Sequence, residues 1–143
     1  MSDKNLPPTS RSSFIWDGTK ITDFIGCETD VVIPEGATEI GWYAFAGCSS
    51  IKSVVIPCSV TEIGNAAFKD CTSLTSVVIL EGALRIKYHA FLNCKNLSSV
   101  NIPESVKIGY EAFRGCPVPW LSRAWRHKFW DWCKSSHCCV FGE

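Results

Sequence analysis

The chain has no excess of either charge and no long apolar run. Its 143 residues include 14 lysines and arginines and 14 aspartates and glutamates, so the formal net charge is zero. A balanced charge argues against electrostatic binding of nucleic acid or of a membrane surface by the chain as a whole. No stretch approaches the roughly 18 consecutive apolar residues that a transmembrane helix needs.

Catalytic motifs are also missing from the sequence. Histidine occurs only three times, at His89, His127 and His137. A glycine-rich phosphate loop, a nucleophile elbow and a paired-acid motif are all absent from the sequence. We therefore expect a protein that is not an enzyme, with no catalytic residue and no cofactor.

What the sequence does contain is a tandem repeat of 23 residues. The segment VVIPCSVTEIGNAAFKDCTSLTS, residues 54–76, follows VVIPEGATEIGWYAFAGCSSIKS at 31–53 and precedes VVILEGALRIKYHAFLNCKNLSS at 77–99. A fourth copy at 100–116 lacks one residue before Ile108 and follows the pattern as far as Cys116. One such unit cannot enclose a core, but stacked units cover each other's apolar faces, so the repeat predicts a solenoid.

The apolar positions within a copy predict its local structure. In the second copy they are Val54, Ile56, Val60, Ile63, Ala67, Phe68, Cys71 and Leu74. Alternation over residues 53–57 predicts a strand, and residues 60–64 predict a second short one. The spacing of three to four around Phe68 predicts a short helical turn. Each copy is then one coil made of strand, turn, short strand and helical turn.

The repeated pattern L-x-x-V-x-I-P-x-x-V-x-x-I-G-x-x-A-F-x-x-C resembles the BspA-type leucine-rich repeat. It covers roughly residues 14–116, with departures at Leu80 and Lys87 in the third copy. The resemblance implies a leucine-rich-repeat solenoid, a β-rich α/β fold with a parallel sheet. It also implies an adhesion-type protein that binds other proteins and is secreted or displayed at a cell surface.

The segments that flank the repeats have their own predicted roles. Residues 1–13 are polar and lack the apolar core of a secretory signal, so they predict a disordered leader. With no signal and no transmembrane helix, the chain as it stands is expected to be cytoplasmic; the alternative is that a secretory signal has been cut away. Residues 14–30 read as two strands around the Asp17-Gly18 turn, which we interpret as an N-terminal cap.

Residues 117–143 form a Trp- and Cys-rich tail. Leu121, Trp125, Phe129 and Trp132 share one face at helical spacing, which favours a C-terminal capping helix. The alternative is a basic, Trp-rich helix that meets a membrane or drives self-assembly, and it is the only route to membrane contact that we expect. The crowded Cys133, His137, Cys138 and Cys139 do not have the spacing of a zinc site.

Four cysteines recur with the repeat, at Cys48, Cys71, Cys94 and Cys116. In stacked coils they form a column, for which a disulfide or metal ladder is one interpretation. Side chains of parallel coils point the same way, however, and free cysteine packs as a small apolar residue. Buried thiols are therefore the favoured prediction, and Cys58, on a turn outside the column, is the cysteine open to exposure.

The outward positions of the first strand supply the candidate binding residues. Valines occupy one column and serines a neighbouring one, giving the predicted partner-binding set Val32, Ser53, Val55, Ser76, Val78, Leu80, Ser99 and Asn101. An exposed apolar stripe usually marks an interaction site, so a protein partner is expected here. The alternatives are β-propensity with cross-strand packing, or partial cover by the capping segments.

A charge column, finally, which we expect on the helical side of the coils, changes sign along the array. It contains Glu39 and Glu62, followed by Arg85 and Lys107. This change could orient a partner, although a simple solvated face is the favoured interpretation. The sequence does not fix the oligomeric state, and no nucleic-acid partner is expected.

Overall fold

The protein is described by a computed structural model over residues 8–80, 85–103 and 106–117. Within these residues, ten strands and one 3-10 helix, Arg11–Ser13, are present. The strands are β1 (Phe14–Asp17), β2 (Lys20–Phe24), β3 (Asp30–Val32), β4 (Glu39–Ile40), β5 (Ser53–Ile56), β6 (Glu62–Ile63), β7 (Ser76–Ile79), β8 (Arg85–Ile86), β9 (Ser99–Asn101) and β10 (Lys107–Ile108). The predicted tail helix and the crowded tail cysteines lie outside the described residues.

The strands form two sheets rather than one. The four-stranded sheet has the order β3-β5-β7-β9, and the six-stranded sheet has the order β1-β2-β4-β6-β8-β10. All neighbours are parallel except β1 and β2, which form the predicted antiparallel hairpin around Gly18. The role of this hairpin as a cap stays a prediction.

Equivalent residues of successive copies are paired in register, as the repeat predicts. Val54 pairs with Val31 and Val77 in the four-stranded sheet. Ile63 pairs with Ile40 and Ile86 in the six-stranded sheet. A solenoid of stacked coils is therefore confirmed, with one strand of each coil in each sheet.

The third side of each coil is a run of turns, so the predicted helical turn is wrong for the described coils. In the second copy Ala66 and Asp70 have positive φ angles of 57° and 62°, which an α-helix does not allow. Alternate amides turn toward the next coil, where Phe68 N–H donates to Ala90 O at 2.7 Å and Asp70 N–H donates to Leu92 O at 2.8 Å. The coils are thus joined by hydrogen bonds on three sides.

A stack of phenylalanine rings runs through the core. Phe68 lies between Phe45 and Phe91, at centroid distances of 4.8 and 5.1 Å. Phe24 and Phe113 extend the stack at its two ends, at 5.1 and 5.0 Å from their neighbours. Rings that repeat at the spacing of the coils bury a large apolar area at every coil boundary.

The cysteine column consists of free thiols beside this stack. Cys71, Cys94 and Cys116 are buried and Cys48 is half-buried. The three buried thiols donate to phenylalanine carbonyls of the preceding coil: Cys71 to Phe45 at 3.1 Å, Cys94 to Phe68 at 3.1 Å and Cys116 to Phe91 at 3.0 Å. Burial of these three thiols agrees with the prediction, and the exposed Cys58 agrees as well.

Residues 8–13, which the sequence assigns to a disordered leader, lie against the first coil. Thr9 N–H donates to Val32 O at 2.9 Å, and Val32 N–H donates to Thr9 Oγ1 at 2.8 Å. Thr9 therefore satisfies both backbone groups of Val32 on the open edge of β3. An unpaired strand edge favours such a contact, which has no repeat period and so left no pattern in the sequence.

Candidate partner-binding surface

The structure brings the sequence-predicted site residues together on the four-stranded sheet. Ser53, Ser76 and Ser99 form one column of register partners, and Val55 pairs with Val32 and Val78 in the next. Ser99 and Asn101 are exposed, Ser53, Ser76, Val32, Val78 and Leu80 are half-buried, and Val55 is buried, with 4% of its surface exposed. The predicted stripe of exposed valines is therefore wrong at Val55.

The segment that precedes the repeats explains this burial. Pro8, Thr9 and Arg11 line a groove together with residues in, or just after, the strands of the four-stranded sheet, which are Val32, Ile33, Pro34, Glu35, Val55, Pro57 and Leu80. The groove has a volume of about 640 Å³. This arrangement corresponds to the alternative of partial cover, with the covering residues coming from the leader rather than from the hairpin.

The large exposed rings lie instead at a corner of the coil, just after the strands of the six-stranded sheet. Trp42, Tyr88 and Tyr110 are 68%, 49% and 40% exposed and occupy equivalent positions of three copies, with Asn65 in the remaining copy. The neighbouring Tyr43 is 57% exposed. We call these five residues the aromatic corner. The sequence reasoning missed it because this position varies between copies.

The backbone holds this corner in a left-handed conformation. Tyr43, Ala66, His89 and Glu111 occupy the position after each corner ring and have φ angles of 55°, 57°, 60° and 52°. A left-handed residue other than glycine costs about 1–2 kcal/mol. The conformation is held by bonds between coils, such as those from Tyr43 N–H to Asn65 O at 3.2 Å and from His89 N–H to Tyr110 O at 3.1 Å.

A hydrogen-bonded cluster lies beside Tyr88 and Tyr110 of the aromatic corner. His89 Nε2 lies 3.0 Å from Glu111 Oε1, and Arg114 Nη1 donates to Glu111 Oε2 at 2.9 Å. The His89 ring lies 5.0 Å from the Tyr88 ring and 6.3 Å from the Tyr110 ring, measured between centroids. The cluster therefore fixes the histidine between the two exposed tyrosines.

The pKa of the Glu111 carboxyl is consistent with these hydrogen bonds. Burial by itself raises the pKa of the Glu111 carboxyl, but the hydrogen bonds with His89 and Arg114 outweigh burial and lower the pKa below its ordinary value. Glu111 is thus an ionised, nearly buried group that orders its neighbours. It is 8% exposed, so it offers little surface to a partner.

Charges line the strand side of the corner, in the column predicted from the sequence. Glu39, Glu62, Arg85 and Lys107 are register partners along the six-stranded sheet, not on a helical side. Arg85, Lys107 and the nearby Lys87 join Asn65, Tyr88 and Tyr110 in lining an open groove of about 390 Å³. Within residues 8–80, 85–103 and 106–117, no group of three or more His, Cys, Asp or Glu side chains is placed to hold a metal ion.

Comparison with protein families identifies the repeat. Residues 20–118 match the model of the BspA type leucine rich repeat region, in six copies. The chain belongs to this family. The matched range begins at Lys20, in β2, and so includes a partial coil ahead of the four copies counted from the sequence. No curated protein matches the chain significantly.

Solved structures support the BspA-type assignment. A T. pallidum leucine-rich repeat protein is 33% identical, with a TM-score of 0.70 over 76% of this chain and 56% of that chain. A leucine-rich repeat protein from Bacteroides capillosus is 28% identical, with a TM-score of 0.61 over 77% of this chain and 95% of that chain. The BspA-type chain thus spans just over half of the T. pallidum protein. None of its described helices is long and apolar enough to cross a membrane.

Proposed function

We propose that this BspA-type chain is a non-enzymatic scaffold that binds a protein partner through its aromatic corner. The observation that carries the proposal is the column of exposed rings at Trp42, Tyr88 and Tyr110. Tryptophan and tyrosine are the residues most often responsible for binding energy at protein interfaces. Contiguous exposed apolar surface is itself a mark of an interaction site.

The coils display these rings at a fixed spacing. Each ring is attached to a backbone that is hydrogen-bonded to the neighbouring coil, and Tyr88 and Tyr110 also contact His89. Side chains that are ordered before binding lose less conformational entropy when a partner arrives. Rigid display of rings is therefore the mechanism that we assign to the scaffold.

The four-stranded sheet is a second candidate surface, as the sequence predicts. The exposed part of this surface is smaller than the sequence predicts, because Val55 is buried and the exposed members of the predicted set are Ser99 and Asn101. These two residues are exposed neighbours at the C-terminal end of the sheet. The expected adhesion-type role at a cell surface stays a prediction.

Two matched variants separate the surfaces. The Trp42→Ala/Tyr88→Ala variant removes two rings of the corner, and Ser99→Arg/Asn101→Arg places bulky charges on the sheet. The wild type and both variants are immobilised, and the proteins that each captures from solution are identified and quantified by mass spectrometry. Circular dichroism checks that each variant is folded. We expect a partner that is retained by the sheet variant and reduced at least about tenfold by the corner variant, a loss of about 1.4 kcal/mol. If the corner variant captured as much partner as the wild type and the sheet variant did not capture it, the binding site would be on the sheet.

A further inference from the structure

The two cations of the corner groove stand next to each other on neighbouring strands. Arg85 in β8 and Lys107 in β10 are register partners, so their Cα atoms are about 4.8 Å apart. Both side chains are exposed, and both line the groove with the rings of Tyr88 and Tyr110. Two positive charges thus line the same open groove as two exposed tyrosine rings.

The carboxylates around this groove are already occupied by other cations. Glu62 pairs with Lys87 at 3.1 Å, and Glu111 is bound by His89 and Arg114. Farther along the same column, Glu39 pairs with Lys20 at 3.6 Å.

Arg85 and Lys107 form no ion pair within the described part of the chain. Among the described residues, the carboxylates nearest the groove therefore leave the charges of Arg85 and Lys107 unpaired.

We propose that this groove binds an acidic segment of a polypeptide in extended conformation, with carboxylates at Arg85 and Lys107. The proposal deepens the function proposed above and rests on it. Trp42 marks the other end of the corner, where Glu39 is already paired with Lys20, so the partner's apolar side chains belong at that end. The positive charges at one end and the exposed tryptophan at the other therefore determine in which direction the segment binds.

The size of the surface sets the length of the segment. From Trp42 to Tyr110 there are three coil-to-coil steps, or about 14 Å at the spacing of parallel strands. An extended chain advances about 3.3 Å per residue, so four or five residues span the corner. A groove of about 390 Å³ with exposed rings also offers apolar contact that a small inorganic anion would leave unused.

A synthetic peptide tests the proposal directly. The probe is a fluorescein-labelled peptide of about five residues, with the sequence Asp-Ser-Asp-Ser-Phe, in which both carboxylates and the ring share one face of an extended chain. Its neutral counterpart is Asn-Ser-Asn-Ser-Phe, and fluorescence anisotropy measures binding to the full chain. We expect the acidic peptide to bind at least about tenfold more tightly than the neutral one. Its affinity should fall as salt rises from about 50 mM to about 500 mM.

Charge variants locate the binding to the groove. Arg85→Gln/Lys107→Gln should weaken binding of the acidic peptide at least about tenfold. Lys52→Gln/Lys95→Gln removes the same charge from two exposed lysines that do not line the groove and should leave the affinity unchanged. Equal losses in both variants, or none in the first, would overturn the proposal.

A comparison with nucleic acid tests the class of ligand. An oligonucleotide with the same net charge that binds as tightly as the acidic peptide would overturn the proposal of a polypeptide ligand.

A comparison of variants distinguishes this proposal from the function on which it rests. If the rings at Trp42 and Tyr88 are needed for capture of a natural partner but the Arg85→Gln/Lys107→Gln variant captures it normally, the proposed acidic segment is wrong and the scaffold function stands. If neither pair of variants changes capture, both are wrong.

Discussion

Truncation of one ring in the phenylalanine stack should remove a large part of the protein's stability. Phe68 has no exposed surface and stacks on Phe45 and on Phe91, at 4.8 and 5.1 Å. Replacing a buried phenylalanine with alanine typically costs about 3–5 kcal/mol. Because Phe68 contacts rings on both sides, we expect Phe68→Ala to cost about 4–5 kcal/mol, at the upper end of that range.

A second variant separates ring stacking from volume. Phe68→Leu keeps most of the apolar volume but loses the two stacked contacts, so it should cost about 1–2 kcal/mol. A domain of this size is stabilised by about 5–15 kcal/mol in total. The alanine variant should therefore be close to unfolding while the leucine variant stays clearly folded.

Urea unfolding followed by far-ultraviolet circular dichroism measures these differences. The midpoint and the slope of each transition are compared, because an altered slope would show that the coils no longer unfold together. The reasoning would be refuted if Phe68→Ala lost less than about 2 kcal/mol. It would also be refuted if the alanine and leucine variants were equally stable, since the cost would then not reflect the cavity.

Two further predictions concern ionisable groups. The lowered pKa of Glu111 means that its stabilising contribution is present above about pH 4.5 and is lost as the pH falls through the lower folded-state value. Glu111→Gln should be less stable than the wild type by about 1–2 kcal/mol at pH 7. Urea unfolding at several pH values should show the gap closing as the pH falls below the ordinary glutamate value of 4.5, and a constant gap would contradict the assignment. Burial raises the pKa of the Cys48 thiol to about 11, and the hydrogen bond with Cys116 together with burial raises the pKa of the Cys94 thiol further. In the folded protein, iodoacetamide should therefore label the exposed Cys27 and Cys58 before Cys94, as read by peptide mass spectrometry, and early labelling of Cys94 would show that the column opens.

Sequence spacing was sufficient to predict the stacking. A 23-residue period places Val54 beside Val77 and Ile63 beside Ile86, and both pairs are register partners in the structure. The period also aligns the thiols, whose burial follows from their position among apolar neighbours. Periodicity predicts contacts between equivalent residues because adjacent coils have the same shape.

The helical turn was wrong because apolar spacing does not distinguish a helix from a chain of turns. A better signal was available two residues after each phenylalanine, where Gly47, Asp70, Asn93 and Gly115 all have positive φ. Glycine, asparagine and aspartate are the residues that most readily adopt that conformation. Their recurrence at one position of the repeat argues against a helix there.

The binding surface was less predictable than the core. Val55 lies between its register partners Val32 and Val78 and shares a groove with Pro8, Thr9 and Arg11, which lie outside the repeat. The aromatic corner depends on residues that differ between copies, so a search for what the copies share passes over it. Variation between coils thus marks the surface that we propose for binding, whereas similarity between coils predicts the fold.

The left-handed conformation costs each corner residue about 1–2 kcal/mol relative to glycine at the same place. At Glu111 the hydrogen bonds with His89 and Arg114 offset this cost. Tyr43 has a positive φ and is 57% exposed, so its ring gains little from burial. Selection for stability alone would favour glycine at this position. A lineage that loses its partner should therefore drift toward glycine at position 43 first, while the phenylalanines beneath stay unchanged.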